Sequence, residues 1–202
     1  MAKFKLNLKS LGKKLEKNKK LRGQVERKVA NALEVKKGEA LAELVSHPVS
    51  KEIEAGARAS NSSGTLGGYG NLFSFIGFNS GSEPISPLLK LIKSSIKLDN
   101  LRKSESKGKK IFFGFKVNIP SREQIALATP MPWEGGSWVE GVENGMSNFS
   151  YYMYKRFGGG RSGWGFQADH ELRMAVFKPT QYVNKILADF RKDVKKNIKK
   201  VK

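Results

Sequence analysis

Two histidines, His47 and His170, and no cysteine supply the side chains most often recruited for metal binding or proton transfer near neutral pH. Asp169-His170-Glu171 places three ligand types in a row, but neighbours on an extended chain face opposite ways, and no further histidine accompanies them. The cluster reads as a surface or hydrogen-bonded structural feature. His47 precedes Pro48 at the end of a helical pattern and reads as a cap that satisfies terminal carbonyls. The glycine-dense stretches Gly64–Gly70 and Gly158–Gly165 invite a phosphate-loop comparison. Neither has a glycine, four residues and then Gly-Lys-Ser/Thr, so both read as turns or close backbone approaches. The sequence thus predicts no catalytic residue, no metal site, no cofactor and no enzyme.

Charge is the chemistry that remains. The chain has 202 residues and a formal net charge of +20, with 38 Lys and Arg against 18 Asp and Glu. Residues 1–23 hold nine basic residues against one Glu, and residues 183–202 hold eight against two Asp. The ends therefore supply most of the excess, which implies strong attraction to a polyanion or an acidic protein surface. Lys13, Lys14, Lys17, Lys19, Lys20 and Arg22 at one end are the expected contacts to DNA or an acidic partner. Arg191, Lys192, Lys195, Lys196, Lys199 and Lys200 are their counterparts at the other.

The periodicity says what positions these charges. Phe4, Leu8, Leu11 and Leu15 make a cationic amphipathic start, and Leu21, Val25, Val29 and Leu33 then recur every four residues. One long helix is expected from Lys17 to Ser46, ended by Pro48. A helical turn capped by Ser50 follows, and then a loop from Ala59 to Gly70. Asn71–Phe78 is apolar on both faces, as a strand covered on both sides would be. A helix capped by Ser86 with Pro87 first should turn Leu88, Leu89, Ile92 and Ile96 inward. A hairpin follows, with strands at Lys97–Lys103 and Lys110–Ile119 and a polar turn between them. Ser121 and Gln124 have capping-box spacing and should open a short helix ending by Pro130. Strands are expected around Trp138 and Tyr151–Arg156, and a strand or turn over Asp169–Phe177. Thr180 should cap a last helix with Tyr182, Val183, Ile186, Leu187, Phe190 and Val194 on its apolar stripe.

These elements define an α+β fold, a small mostly antiparallel sheet flanked by long N-terminal and C-terminal helices. The expected organisation is a basic extension at 1–23, one α+β domain at 24–182 and the basic end of the last helix at 183–202. No apolar run approaches the length of a membrane span, and the absence of cysteine fits a reducing cytoplasm or a particle assembled there.

The order of a long first helix, Pro48, the Ser63-Gly64-Thr65-Leu66 segment, a small sheet, Tyr151–Tyr154, Gly158, Leu172–Phe177 and a last helix resembles the neck and tail-completion proteins of tailed bacteriophages. That resemblance implies a structural virion protein, a ring subunit joining head connector to tail and assembled in the host cytoplasm. Its partners would be further copies of itself, the connector and tail-tube proteins, and genome DNA in the lumen, with no membrane. Leu66, Tyr69, Leu72, Phe73, Phe75, Phe78 and Trp164 are the expected subunit interface, Gly64–Phe78 being either glycine turns within the fold or an arm that a neighbour would order, and Tyr69 and Trp164 suiting the core equally. The alternative is a nucleic-acid-binding protein acting through its basic terminal helices. A membrane-active peptide-like role for residues 1–20 ranks third.

Overall fold

The first described helix is set by a stripe of apolar residues and a cap. In the computed structural model, which describes residues 18–66, 70–107, 110–132, 135–146 and 177–198, helix α1 spans Lys19–Ser46. The Asn18 side chain accepts from the amides of Lys20 and Leu21, at 3.0 and 3.3 Å. Val29, Leu33, Ala40 and Leu44 form its buried face. His47, extended because proline follows, ends the helix, and Pro48 opens α2 at Pro48–Glu54.

The remaining elements are a 3-10 turn at Gly56–Arg58, α3 at Leu72–Ile76, α4 at Ile85–Ser95, β1 at Lys97–Lys107, β2 at Lys110–Asn118, α5 at Arg122–Ala128, α6 at Trp138–Asn144 and α7 at Val183–Ile198. The described residues therefore form an α+β fold of seven α-helices and one two-stranded antiparallel sheet. Leu98, Val117 and Ile119 of the hairpin segment pack against a core that runs from Leu33 to Val194. At its centre Trp138 meets Phe78 edge-on at 6.0 Å between ring centroids and Tyr182 at 6.3 Å.

Several expectations change. Asn71–Phe78 is a helix where a strand was expected: the Asn71 side chain accepts from the Ser74 amide at 2.8 Å, and Gly77 closes the turn at φ 84°, a conformation open to glycine. Short apolar runs do not reveal their period, which is why this one misleads. The segment at Trp138 is likewise helical, with Ser137 accepting from the Glu140 amide and Trp138, Val139 and Val142 buried on one side. Gly141 within it lies against Met146, whose Cγ would stand 2.6 Å from an added Cβ.

Boundaries also move. Helix α4 begins at Ile85, two residues before Pro87, because the first turn of a helix needs no proline amide. Strand β1 runs on through Ser104–Lys107, residues expected in the turn, and Lys107 stands opposite Lys110. The capping box of α5 forms with both of its bonds, Gln124 amide to Ser121 hydroxyl at 3.3 Å and Ser121 amide to Gln124 Oε1 at 2.9 Å. Thr180 does not cap α7; its amide donates to Val142 O, and Tyr182 O accepts from the Ile186 amide. The cap comes from another helix: Glu143 of α6 accepts from the Asn184 amide at 2.8 Å and from the Asn184 side chain.

A candidate polyanion-binding end

Helices α1 and α7 each carry their excess of positive charge on one half. In α1, Lys19, Lys20, Arg22, Arg27 and Lys28 face a single acid, Glu26, before residue 33, whereas Lys37 and Lys36 beyond it are paired with Glu34 and Glu39. In α7 the basic half follows Phe190, with Arg191, Lys192, Lys195 and Lys196 against Asp193. Of these, Lys192 holds an ion pair with Asp189 at 3.1 Å.

Packing brings the two basic halves to the same end of the helix pair. At the end of α1 the His47 ring lies 4.7 Å from that of Tyr182, which directly precedes α7. Eleven positions back along α1, Lys36 is held above the ordinary lysine range, first by its bond to Glu39 and then also by the carboxylate of Asp193, eleven positions on from Tyr182. The helices are therefore antiparallel neighbours. The C-terminal end of α7 and the N-terminal end of α1 point the same way along the pair. At 1.5 Å of rise per residue, the cationic stretch from Arg191 to Lys196 and on to Lys19 covers about 30 Å.

Lys19, Lys20, Arg191, Lys192, Lys195 and Lys196 are exposed and Arg22 is partly so, as contact residues must be. Lys13, Lys14, Lys17, Lys199 and Lys200 lie outside the described residues. Three cations in the first turn of α1 also oppose the positive end of its own dipole, and no acid offsets them there. Lys195 and Lys196 sit favourably in the last turn of α7. Sequence reading found both groups but could not see that they meet, since that depends on the antiparallel packing.

The expected subunit interface fares differently. Leu66, Leu72, Phe73 and Phe75 are 1, 0, 3 and 7% exposed and belong to the chain's own core, so they are not a free surface for a neighbour. Phe78 is half-buried against Phe73 and Trp138. Nor do Gly64–Leu66 and Leu72–Phe78 wait on another subunit: Thr65 O accepts from the Lys178 amide at 2.8 Å, and buried Glu52 accepts from the Ser63 and Leu72 amides at 2.7 Å each. Tyr69, Trp164, the Tyr151–Arg156 stretch and Asp169-His170-Glu171 lie outside the described residues.

The polar side chains that resemble catalytic groups serve as struts. Ser50 is fully buried inside α2, so it is not the cap expected of it. Its hydroxyl proton goes to Leu44 O, an atom that can only accept, so the Tyr182 hydroxyl must donate to Ser50 Oγ. Burial holds the Tyr182 phenol well above the usual tyrosine range. His47 is a cap, but of α2: its Nδ1 accepts from the Val49 amide at 3.3 Å, where donation to the carbonyls of α1 was expected. Among the described residues no group of three His, Cys, Asp or Glu could hold a metal, and no helix is long and apolar enough to cross a membrane.

His47 gives this corner a pH dependence. Burial, with Lys185 adding to it, holds its pKa below the ordinary value, and a protonated Nδ1 could not accept from Val49. The unfolded chain then binds the proton more readily than the folded one. Stability present above the unfolded pKa of about 6.5 should fall as pH drops below it. His47→Asn keeps an N-cap acceptor and removes the titration. Thermal denaturation at pH 7.5 and 5.5 should show a smaller drop in the variant than in the wild type. Equal drops would remove His47 as the cause.

Comparison of the chain with protein-family models, with curated proteins and with solved structures gives no match.

Proposed function

We propose that the chain is a structural virion protein of the tailed-phage neck or tail-completion type, a ring subunit that presents the basic end of the α1–α7 pair to a polyanion. The observation that carries the polyanion part is the antiparallel packing of α1 and α7, which brings basic segments from opposite ends of the sequence to the same end of the helix pair over about 30 Å. Duplex DNA carries a negative charge about every 1.7 Å of its axis, so that length spans many phosphates. An acidic connector or tail-tube surface offers the same complement. The assembly part rests on the resemblance in element order.

The same basic face suits a nucleic-acid-binding protein acting on its own, and solution mass separates the two. Light scattering on the purified chain at low and high salt, with and without duplex DNA, should show a protein-only oligomer that persists in high salt. A monomer that binds DNA and releases it as salt rises would replace the ring reading with the nucleic-acid binder.

A further inference from the structure

A cleft of about 630 Å³ lies where four elements converge: Ser95 ends α4, Lys116 and Asn118 lie on β2, Gln124 sits in the first turn of α5, and Arg191 projects from α7. Its size falls within the range of about 300 to 1,000 Å³ common for ligand sites. Val117 and Ile119 complete its wall. We propose that this cleft binds a phosphate group of a nucleic-acid strand, which rests on the polyanion reading above and places one contact within it.

The donor inventory carries the assignment. Arg191 offers a planar fork of N–H groups, is exposed, and among the described residues makes no ion pair. Lys116 offers an ammonium group. Gln124 has its Oε1 committed to the Ser121 amide, so the group it has left is its NH₂. Ser95 adds a hydroxyl and Asn118 an amide. Lys97 pairs with Asn118 in the strand register and adds a further exposed cation at the rim. The cleft's lining itself holds no carboxylate, and Asp99 stands 4.0 Å from Lys116. Such a set suits an acceptor-rich anion. Its position selects a strand over a lone anion, because Lys195 follows Arg191 by one turn on the same face of α7, about 6 Å along the axis. A second phosphate of the same strand would meet it there.

The test uses the full chain, a fluorescein-labelled 20-mer of thymidylate and inorganic pyrophosphate. Arg191→Gln with Lys116→Gln should weaken oligonucleotide binding by about tenfold or more at 0.1 M salt, as the loss of two charge-assisted contacts would. Lys51→Gln with Arg58→Gln removes the same charge near the opposite end of the helix pair and should cost about threefold or less. Equal losses in the two double variants overturn the cleft assignment. Pyrophosphate provides the second readout: the Arg191 Nε–H and the side-chain amides of Asn118 and Gln124 should shift in the nuclear magnetic resonance spectrum. Those shifts in a chain that ignores the oligonucleotide would keep the phosphate cleft and defeat the polyanion reading. Their absence would overturn the cleft.

Discussion

A chain in which Lys19, Lys20, Arg22, Lys192, Lys195 and Lys196 are all glutamine should release duplex DNA at salt concentrations that leave the wild type bound. Each neutralised phosphate contact contributes about 0.9 to the slope of log affinity against log salt, so six lost contacts should flatten that slope by about five and cut affinity near 0.1 M salt by on the order of 10³. Arg191 and Lys116 are left intact, so the cations that line the cleft remain. The decisive comparison is between the two triple variants. Since the α1 and α7 charges lie at the same end of the helix pair, the α1 triple and the α7 triple should each weaken the same binding event by a similar factor, whereas separate surfaces would leave one event untouched. The free protein provides an internal check. Lys19, Lys20 and Arg22 oppose the dipole of α1, so their removal should stabilise the chain at low salt by about 0.3 to 1 kcal/mol per charge. Removing Lys195 and Lys196 from the last turn of α7 should do the reverse. An unchanged salt slope in the sixfold variant would mean that DNA does not use this face.

The parts of this picture that depend on local pattern were legible in the sequence. The period of four from Leu21 to Leu33 and the stripe from Val183 to Val194 mark α1 and α7, and Ser121 with Gln124 marks α5 through a spacing that only a capping box needs. Five-residue α3 and seven-residue α6 were not legible, because one or two turns show no period and their apolar residues are buried in any conformation. Their helical form is decided by single caps, Asn71 and Ser137, that also suit turns. The charges were visible and their meeting was not. Nothing local to Lys20 or Lys195 says that the two helices run antiparallel with His47 over Tyr182. Glu52 was missed in the same way: beside exposed Glu54 it reads as an ordinary acid of a short helix.

Glu52→Ala should destabilise the fold by about 3 to 5 kcal/mol, the size expected when a buried charged acceptor is removed and its donors stay behind. Glu52 is 1% exposed, and its two oxygens take the Ser63 and Leu72 amides at 2.7 Å, tying α2 to positions eleven and twenty residues onward. The Leu72 amide opens α3, so the carboxylate also sits at the positive end of that helix. Without it, two amides lose their acceptor away from water, and the segment carrying Leu66 and Leu72 loses its anchor. Glu52→Gln keeps one acceptor but turns an NH₂ toward the other amide, donor against donor, and should cost about 2 to 3 kcal/mol. Glu54→Ala, two positions along and exposed, should change stability by no more than about 0.5 kcal/mol. Against a total stability of about 5 to 15 kcal/mol the first change is a large fraction, so urea midpoints will resolve all three. Hydrogen exchange at the Ser63 and Leu72 amides should accelerate in the Glu52 variants before exchange in α1 does. Equal urea midpoints for Glu52→Ala and Glu54→Ala would mean that the carboxylate is not what holds Gly64–Leu66 to the core. That segment would then regain its standing as an arm for a neighbouring subunit to order.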